Sequence, residues 1–203
     1  MARPWLAPYR RDNELKVFNK ATAWTGPVSN AIRSFNNLKL GVKLTPTTEI
    51  NKANIVVILA TGPTEYPHKD PWYEATVKTD TGFDPKKFHG SCKTLMDPDK
   101  KFQIVFAAIF LPGSIKATDG QKEVVVVHEF IHACGLNGVS EDGSKDANQD
   151  HDIEGIMVSI MKIQGKGMIE YMPLQGAIAM PPIRIGGQSF CKAKAIWLHP
   201  DQC

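Results

Sequence analysis

The residues best placed to do chemistry together are His128, Glu129 and His132, which stand in the stretch HEFIH. On a helix, two histidines four positions apart lie one turn above each other on the same face, so both imidazoles can reach one metal ion. Glu129 projects about 100° around the helix from His128, close enough to touch a water on that metal without ligating the metal itself. This is the position of a general base. Zinc lowers the pKa of such a water toward roughly 7, and a carboxylate takes its proton as the oxygen attacks a carbonyl carbon. The chemistry implied is hydrolysis of an amide, with Zn2+ as cofactor, His128 and His132 as ligands and Glu129 as the catalytic base.

The segment carrying these residues must therefore be helical. Thr118 and Gln121 have the spacing of a capping box, and Gly135 sits where a helix ends in a left-handed residue. Four consecutive valines, residues 124–127, favour a strand on propensity alone. The histidine spacing decides for the helix. Upstream, residues 15–18 read as a short strand broken by Thr25, Gly26 and Pro27. In residues 27–38, Val28, Ala31, Ile32 and Phe35 fall at helical spacing with Pro27 suited to the first turn. Residues 42–45 and 53–60 read as strands, the second a continuous apolar run of the kind buried on both faces of a sheet. Residues 103–111 give a further strand, stopped by Pro112 and Gly113. Residues 61–101, rich in Pro, Gly, Asp and Lys, carry Tyr66, Trp72, Tyr73, Phe83 and Phe88, and read as one long functional or partner-binding loop.

With 42% hydrophobic and 22% charged residues, a chain of 203 residues can bury an ordinary core as one domain or two small lobes, which excludes disorder and coiled coil. The 24 Lys and Arg against 21 Asp and Glu leave a formal charge of +3, far short of the surplus that drives binding to phosphate backbones, so no nucleic acid partner is expected. No apolar run approaches the roughly 20 residues needed to cross a bilayer, so no membrane partner is expected either. The first twenty residues lack the apolar core of a secretory signal. The expectation is cytoplasmic synthesis, followed by action there, non-classical export or incorporation in a particle. Four cysteines, Cys92, Cys134, Cys191 and Cys203, are too few for a disulfide framework, although Cys191 and Cys203 are a pair that could close a short C-terminal loop.

His128, Glu129, His132 and Gly135 together make HExxHxxG, and in this the chain resembles the metzincin clan of zinc endopeptidases. The order helix, strand, strand, edge strand, zinc helix upstream is similar to the family's, over about 120 residues. The resemblance implies an α+β, zincin-like fold with a twisted, mostly parallel sheet and two helices. An N-terminal lobe of residues 1–135 would carry the zinc helix. A smaller irregular C-terminal lobe of residues 136–203, with a late helix or hairpin, would carry the third ligand and a methionine turn, the cleft lying between the two. It also implies that Ala107, Ala108, Ile109 and Phe110 belong to the edge strand against which an extended polypeptide substrate pairs.

The family's third ligand falls three residues after the glycine, where this chain has Gly138 with no side chain to offer. The donor must come later. His151 is the only histidine in residues 137–157, and His151-Asp152 followed by Ile156-Met157 resembles the adamalysin branch. Glu154, near the spacing at which gluzincins place a glutamate, competes with it, as do Asp142, Asp146, Asp150 and Asp152. Met157 or Met161 would form the methionine turn, Met157 being preferred for its distance from His151. Asp146, Asn148, Asp150 and Asp152 alternate like a calcium loop, but lack its glycine at position six and glutamate at position twelve, so calcium is the weaker cofactor expectation. His68, Asp70 and His89 lie much as matrixins place a structural zinc site, yet without the glycine-rich calcium loop they read better as surface or interface residues. Cys134 reads as a buried inert thiol, and neither Ser159 nor Ile163 supplies the oxyanion-stabilising tyrosine of astacin-like members.

The function expected is a zinc-dependent endopeptidase. Two other classes stay open: a zincin-like structural or docking module of a larger protein assembly such as a virion or secretion particle, and an amide hydrolase acting on cell wall.

Overall fold

The computed structural model describes residues 3–60, 65–69, 76–80, 90–97, 99–100, 103–113, 115, 117–136, 161–164, 168–171, 183–185 and 187–198. Among the described residues the strands are β1 (Glu14–Asn19), β2 (Lys43–Pro46), β3 (Ile55–Ala60), β4 (Glu65–Lys69), β5 (Thr76–Asp80), β6 (Ser91–Met96), β7 (Ile104–Pro112), β8 (Met161–Gln164) and β9 (Met168–Tyr171). The α-helices are α1 (Ala7–Asp12), α2 (Thr25–Asn37), α3 (Asp119–Ala133) and α4 (Gly187–Ile196). The class is α+β, built on a mixed five-stranded sheet in the order β2-β1-β3-β7-β6. Strands β2, β1, β3 and β7 run parallel, and β6 pairs antiparallel with β7. Two antiparallel hairpins, β4–β5 and β8–β9, stand apart from this sheet.

Both sheet faces are covered. On one, Leu15, Val17, Ile55, Val57, Ala107, Ile109 and Leu111 share a core with Val28, Ala31 and Phe35 of α2 and Val124, Val127, Phe130 and Ile131 of α3. Phe35 and Phe130 meet edge to face with ring centroids 6.1 Å apart, which locks the two helices together. On the other, Val56, Ala60, Phe106, Ala108 and Phe110 pack with Leu6 and Tyr9. Strand β7 is buried at every position because from Phe106 to Leu111 its residues alternate between the two cores, while Ile104 joins the first and Val105 the second. Ala193, Ile196 and Trp197, in and just after α4, join the core that contains α3.

The histidine helix forms as its end signals predict. The Thr118 hydroxyl accepts the Gln121 backbone N–H at 3.3 Å, and the Gln121 side-chain oxygen accepts the Thr118 N–H at 2.9 Å. At the other end Gly135 adopts φ 110°, the Gly135 N–H reaches the His132 carbonyl at 3.0 Å and the Leu136 N–H reaches the Ile131 carbonyl at 3.3 Å, which is a Schellman turn. A valine costs a helix up to about 0.7 kcal/mol relative to alanine. Burying one recovers roughly 1.5–3 kcal/mol. All of Val124, Val125, Val126 and Val127 are buried, so packing overrides strand propensity.

Two expectations need correction. Residues 107–110 do not form an edge: Ala107, Ala108, Ile109 and Phe110 pair with Ile55, Val56, Val57 and Ile58 on one side and with Thr94, Lys93, Cys92 and Ser91 on the other. A strand with both hydrogen-bonding sides occupied cannot take up a peptide. Among the described residues the outermost strand on that side is β6. Residues 61–101, read as one loop, contain β4, β5 and β6. The expected C-terminal element proves to be both a hairpin, β8–β9, and a helix, α4. No helix among the described residues is long and apolar enough to cross a membrane.

Removing the N-terminal cap tests how α3 is held. Thr118→Ala should cost about 0.5–2 kcal/mol, a fall in melting temperature of a few degrees for a chain of this size, measurable by calorimetry.

Candidate metal centre

Helix α3 brings His128 and His132 together as their spacing requires. Both are half-buried, with ring centroids 4.7 Å apart, ring planes 82° to each other and the two Nε2 atoms 3.1 Å apart. Zinc–nitrogen bonds of about 2.0–2.1 Å in a tetrahedral shell separate two ring nitrogens by about 3.3 Å. The pair therefore fits such a cation with an adjustment of a few tenths of an ångström.

The His132 tautomer follows from its partner. His132 Nδ1 lies 2.8 Å from the Leu136 carbonyl oxygen, which can only accept, so Nδ1 carries the hydrogen and Nε2 the lone pair. In the metal-free protein, His128 then supplies the hydrogen between the two Nε2 atoms. Burial lowers the His132 pKa, outweighing the opposing effect of the Leu136 carbonyl, and keeps the ring in the neutral form that binds metals. The Schellman turn is what carries the Leu136 carbonyl back to the ring of His132.

Glu129 faces the sheet. It is only 5% exposed, and its carboxyl group accepts the backbone N–H of Cys92 on β6. Desolvation raises its pKa to about 8, against the lowering effect of that N–H. The fit is tight: a Cβ on Gly90 would lie 2.8 Å from Glu129 Oε1, 2.9 Å from its Cγ and 3.0 Å from Val125 Cγ1. A side chain at position 90 would therefore displace the Glu129 side chain from its place beneath β6. Burial, then the Glu129 charge and Cys134, push the Cys92 thiol well above its usual pKa, and burial does the same to Cys134. Neither is a reactive thiolate.

Of the residues expected from sequence, the structure brings together His128 and His132, while Glu129, on the same helix, is turned to the backbone N–H of Cys92 on β6. His151, its competitors Glu154, Asp142, Asp146, Asp150 and Asp152, and Met157 lie outside the described residues, as do Asp70 and His89; His68 falls on β4 and Met161 opens β8. Among the described residues no group of three or more His, Cys, Asp or Glu is placed to hold a metal. Cys191 is disulfide-bonded while Cys92 and Cys134 are free; Cys203, the partner expected from sequence, lies outside the described residues. Sequence reasoning missed Gly90, the Cys92 N–H and the Leu136 carbonyl. Two are backbone groups that any residue supplies, and Gly90 stands in a glycine-containing stretch with no spacing that ties it to the helix. No protein-family model matches the chain, and no curated protein matches it in sequence.

Two outcomes follow from the Glu129 niche. Gly90→Ala overpacks it and should destabilise the protein by about 1–3 kcal/mol. In a Glu129→Ala background the penalty should shrink, and an unchanged penalty in chemical denaturation would place the clash elsewhere. In metal-free protein, a carboxyl group whose pKa is raised from 4.5 to about 8 on folding binds a proton that the unfolded chain has released. Its contribution to stability is therefore lost as pH rises between those values. Glu129→Gln should match wild type near pH 4 and become progressively more stable relative to it up to pH 8, read from paired denaturation curves.

Proposed function

We propose that the chain is a zinc-dependent peptide hydrolase of zincin-like fold. The observation that carries this reading is the convergence of the His128 and His132 Nε2 atoms, 3.1 Å apart, on the helix that also buries Glu129. The α+β class and a mixed sheet whose β7 precedes the histidine helix support it. His128 and His132, with a third donor for which His151 is the leading candidate, would hold the zinc, which when bound would supply Lewis acidity for amide hydrolysis. Glu129 takes the proton from the attacking water and passes it to the amide nitrogen as the carbon–nitrogen bond breaks. The substrate strand is assigned to β6, since β7 is interior: an extended polypeptide adds to the outer side of β6, beside the strand N–H that already touches Glu129.

One observation favours a second reading, a zincin-like docking module of a larger assembly. Glu129 is buried and already engaged by β6, as in a purely structural niche. Glu129→Ala separates the two. For a hydrolase, the variant should keep its fold and zinc content while cleavage of unfolded casein falls by about 10²–10⁴-fold. Equal cleavage by both forms would overturn the mechanism. Zinc uptake without cleavage of casein by the wild type would favour the module, and digestion of purified peptidoglycan in place of casein would move the substrate to cell-wall amides.

A further inference from the structure

Three successive carbonyls at the end of α3 take their donors from the two ends of the described chain. The Trp5 indole N–H donates to the Ala133 carbonyl at 2.8 Å, the Trp197 indole N–H to the Cys134 carbonyl at 3.1 Å, and the Arg3 backbone N–H to the Gly135 carbonyl at 2.8 Å. The fourth carbonyl, that of Leu136, is the one that holds His132 Nδ1. Both indoles are wholly buried. The N-terminal segment is itself anchored to the sheet, because the Ile104 N–H donates to the Pro4 carbonyl at 2.8 Å and the Leu6 N–H to the Ile104 carbonyl at 3.0 Å. Gly135 admits this approach: a Cβ there would stand 2.2 Å from the Arg3 carbonyl oxygen.

The last carbonyls of a helix ordinarily go to water, and the last turn frays. Here the peptide planes of residues 133–135 are set by side chains and backbone from far away in sequence, and the next plane in line fixes the imidazole. We propose that Trp5 and Trp197 are positioning residues of the metal centre. Acting through the 133–136 turn, they hold the Leu136 carbonyl where it keeps His132 in the Nδ1–H form with Nε2 presented to the cation. Neither residue touches the cation or the substrate. The purpose of this arrangement rests on the metallohydrolase reading; its geometry does not.

Trp24 makes the control possible. It is 1% exposed and its indole N–H donates to the Pro112 carbonyl at 2.9 Å, at the opposite end of β7 from Ile104. Trp5→Phe, Trp197→Phe and Trp24→Phe each delete one buried indole donor. In metal-free protein, ring nitrogen NMR of His132 reports the tautomer, and competition with a chromophoric chelator reports zinc affinity. Trp5→Phe and Trp197→Phe should shift His132 toward a mixture of tautomers and weaken zinc roughly tenfold, the loss typical of removing outer support from a ligand. Trp24→Phe should leave both unchanged although its melting temperature falls comparably. Zinc weakened as much by Trp24→Phe, or an unaltered tautomer and affinity in folded Trp5→Phe and Trp197→Phe, would overturn the proposal. Should either variant fail to fold, Arg3→Pro deletes the third donor and is read in the same way, with Arg3→Ala controlling for loss of the side chain. A wild type that takes up no zinc defeats the metal reading, while the tautomer comparison still decides whether the two indoles position His132.

Discussion

The pairing of the two imidazoles depends on α3 staying helical through a run of four valines that would accept a strand. Only the helical rise stacks His128 over His132 and brings the two Nε2 atoms to 3.1 Å. In an extended chain side chains four apart share a face but stand more than 10 Å from each other. Three independent contributions hold the helical state: a reciprocal cap at Thr118 and Gln121, burial of four valines, and a Schellman turn at Gly135. The turn does more than end the helix. It returns the chain so that a backbone carbonyl meets the second histidine, and thereby selects which ring nitrogen is left for a ligand.

Burial gives the site its electrostatic character. It raises Glu129 and lowers His132, and both shifts favour the neutral form, so the metal-free centre carries little charge. A divalent cation inverts that preference, since it stabilises a carboxylate nearby and needs unprotonated imidazole. A metal bound by the histidine pair would therefore be taken up with release of protons, and on the proposed reading Glu129 would become a carboxylate only with the cation present. The niche that produces this effect is made by the absence of a side chain at Gly90 and by one N–H of the outermost strand.

Legibility in the sequence varied with the range of the interactions. The histidine helix, its cap and its terminating glycine were readable because each depends on residues within one or two turns. So were β1, β2 and β3, whose apolar patterns survive without knowledge of their neighbours. Strand β7 was recognised but given the wrong place. A nine-residue run buried throughout belongs in the middle of a sheet, the place that the likeness to an edge strand did not suggest. Its true neighbour, β6, went unseen. SCKTLM is short and half-buried with an exposed lysine, which makes an edge strand hard to tell from a loop by composition.

By itself the amino-acid order determined that two imidazoles and a carboxylate share one helix, that this helix starts at Thr118 and stops at Gly135, and that a sheet precedes it. Tertiary structure alone decided which strand lies outermost, that Glu129 is sealed beneath it against Gly90, and that Trp5, 128 positions away from Ala133, closes the end of the helix. The division has a physical cause. Caps and turn-to-turn stacking are satisfied within a few residues and leave a spacing in the sequence, whereas strand order, desolvation and a backbone carbonyl's distant donor arise from chain closure over long separations, which leaves no local pattern to read.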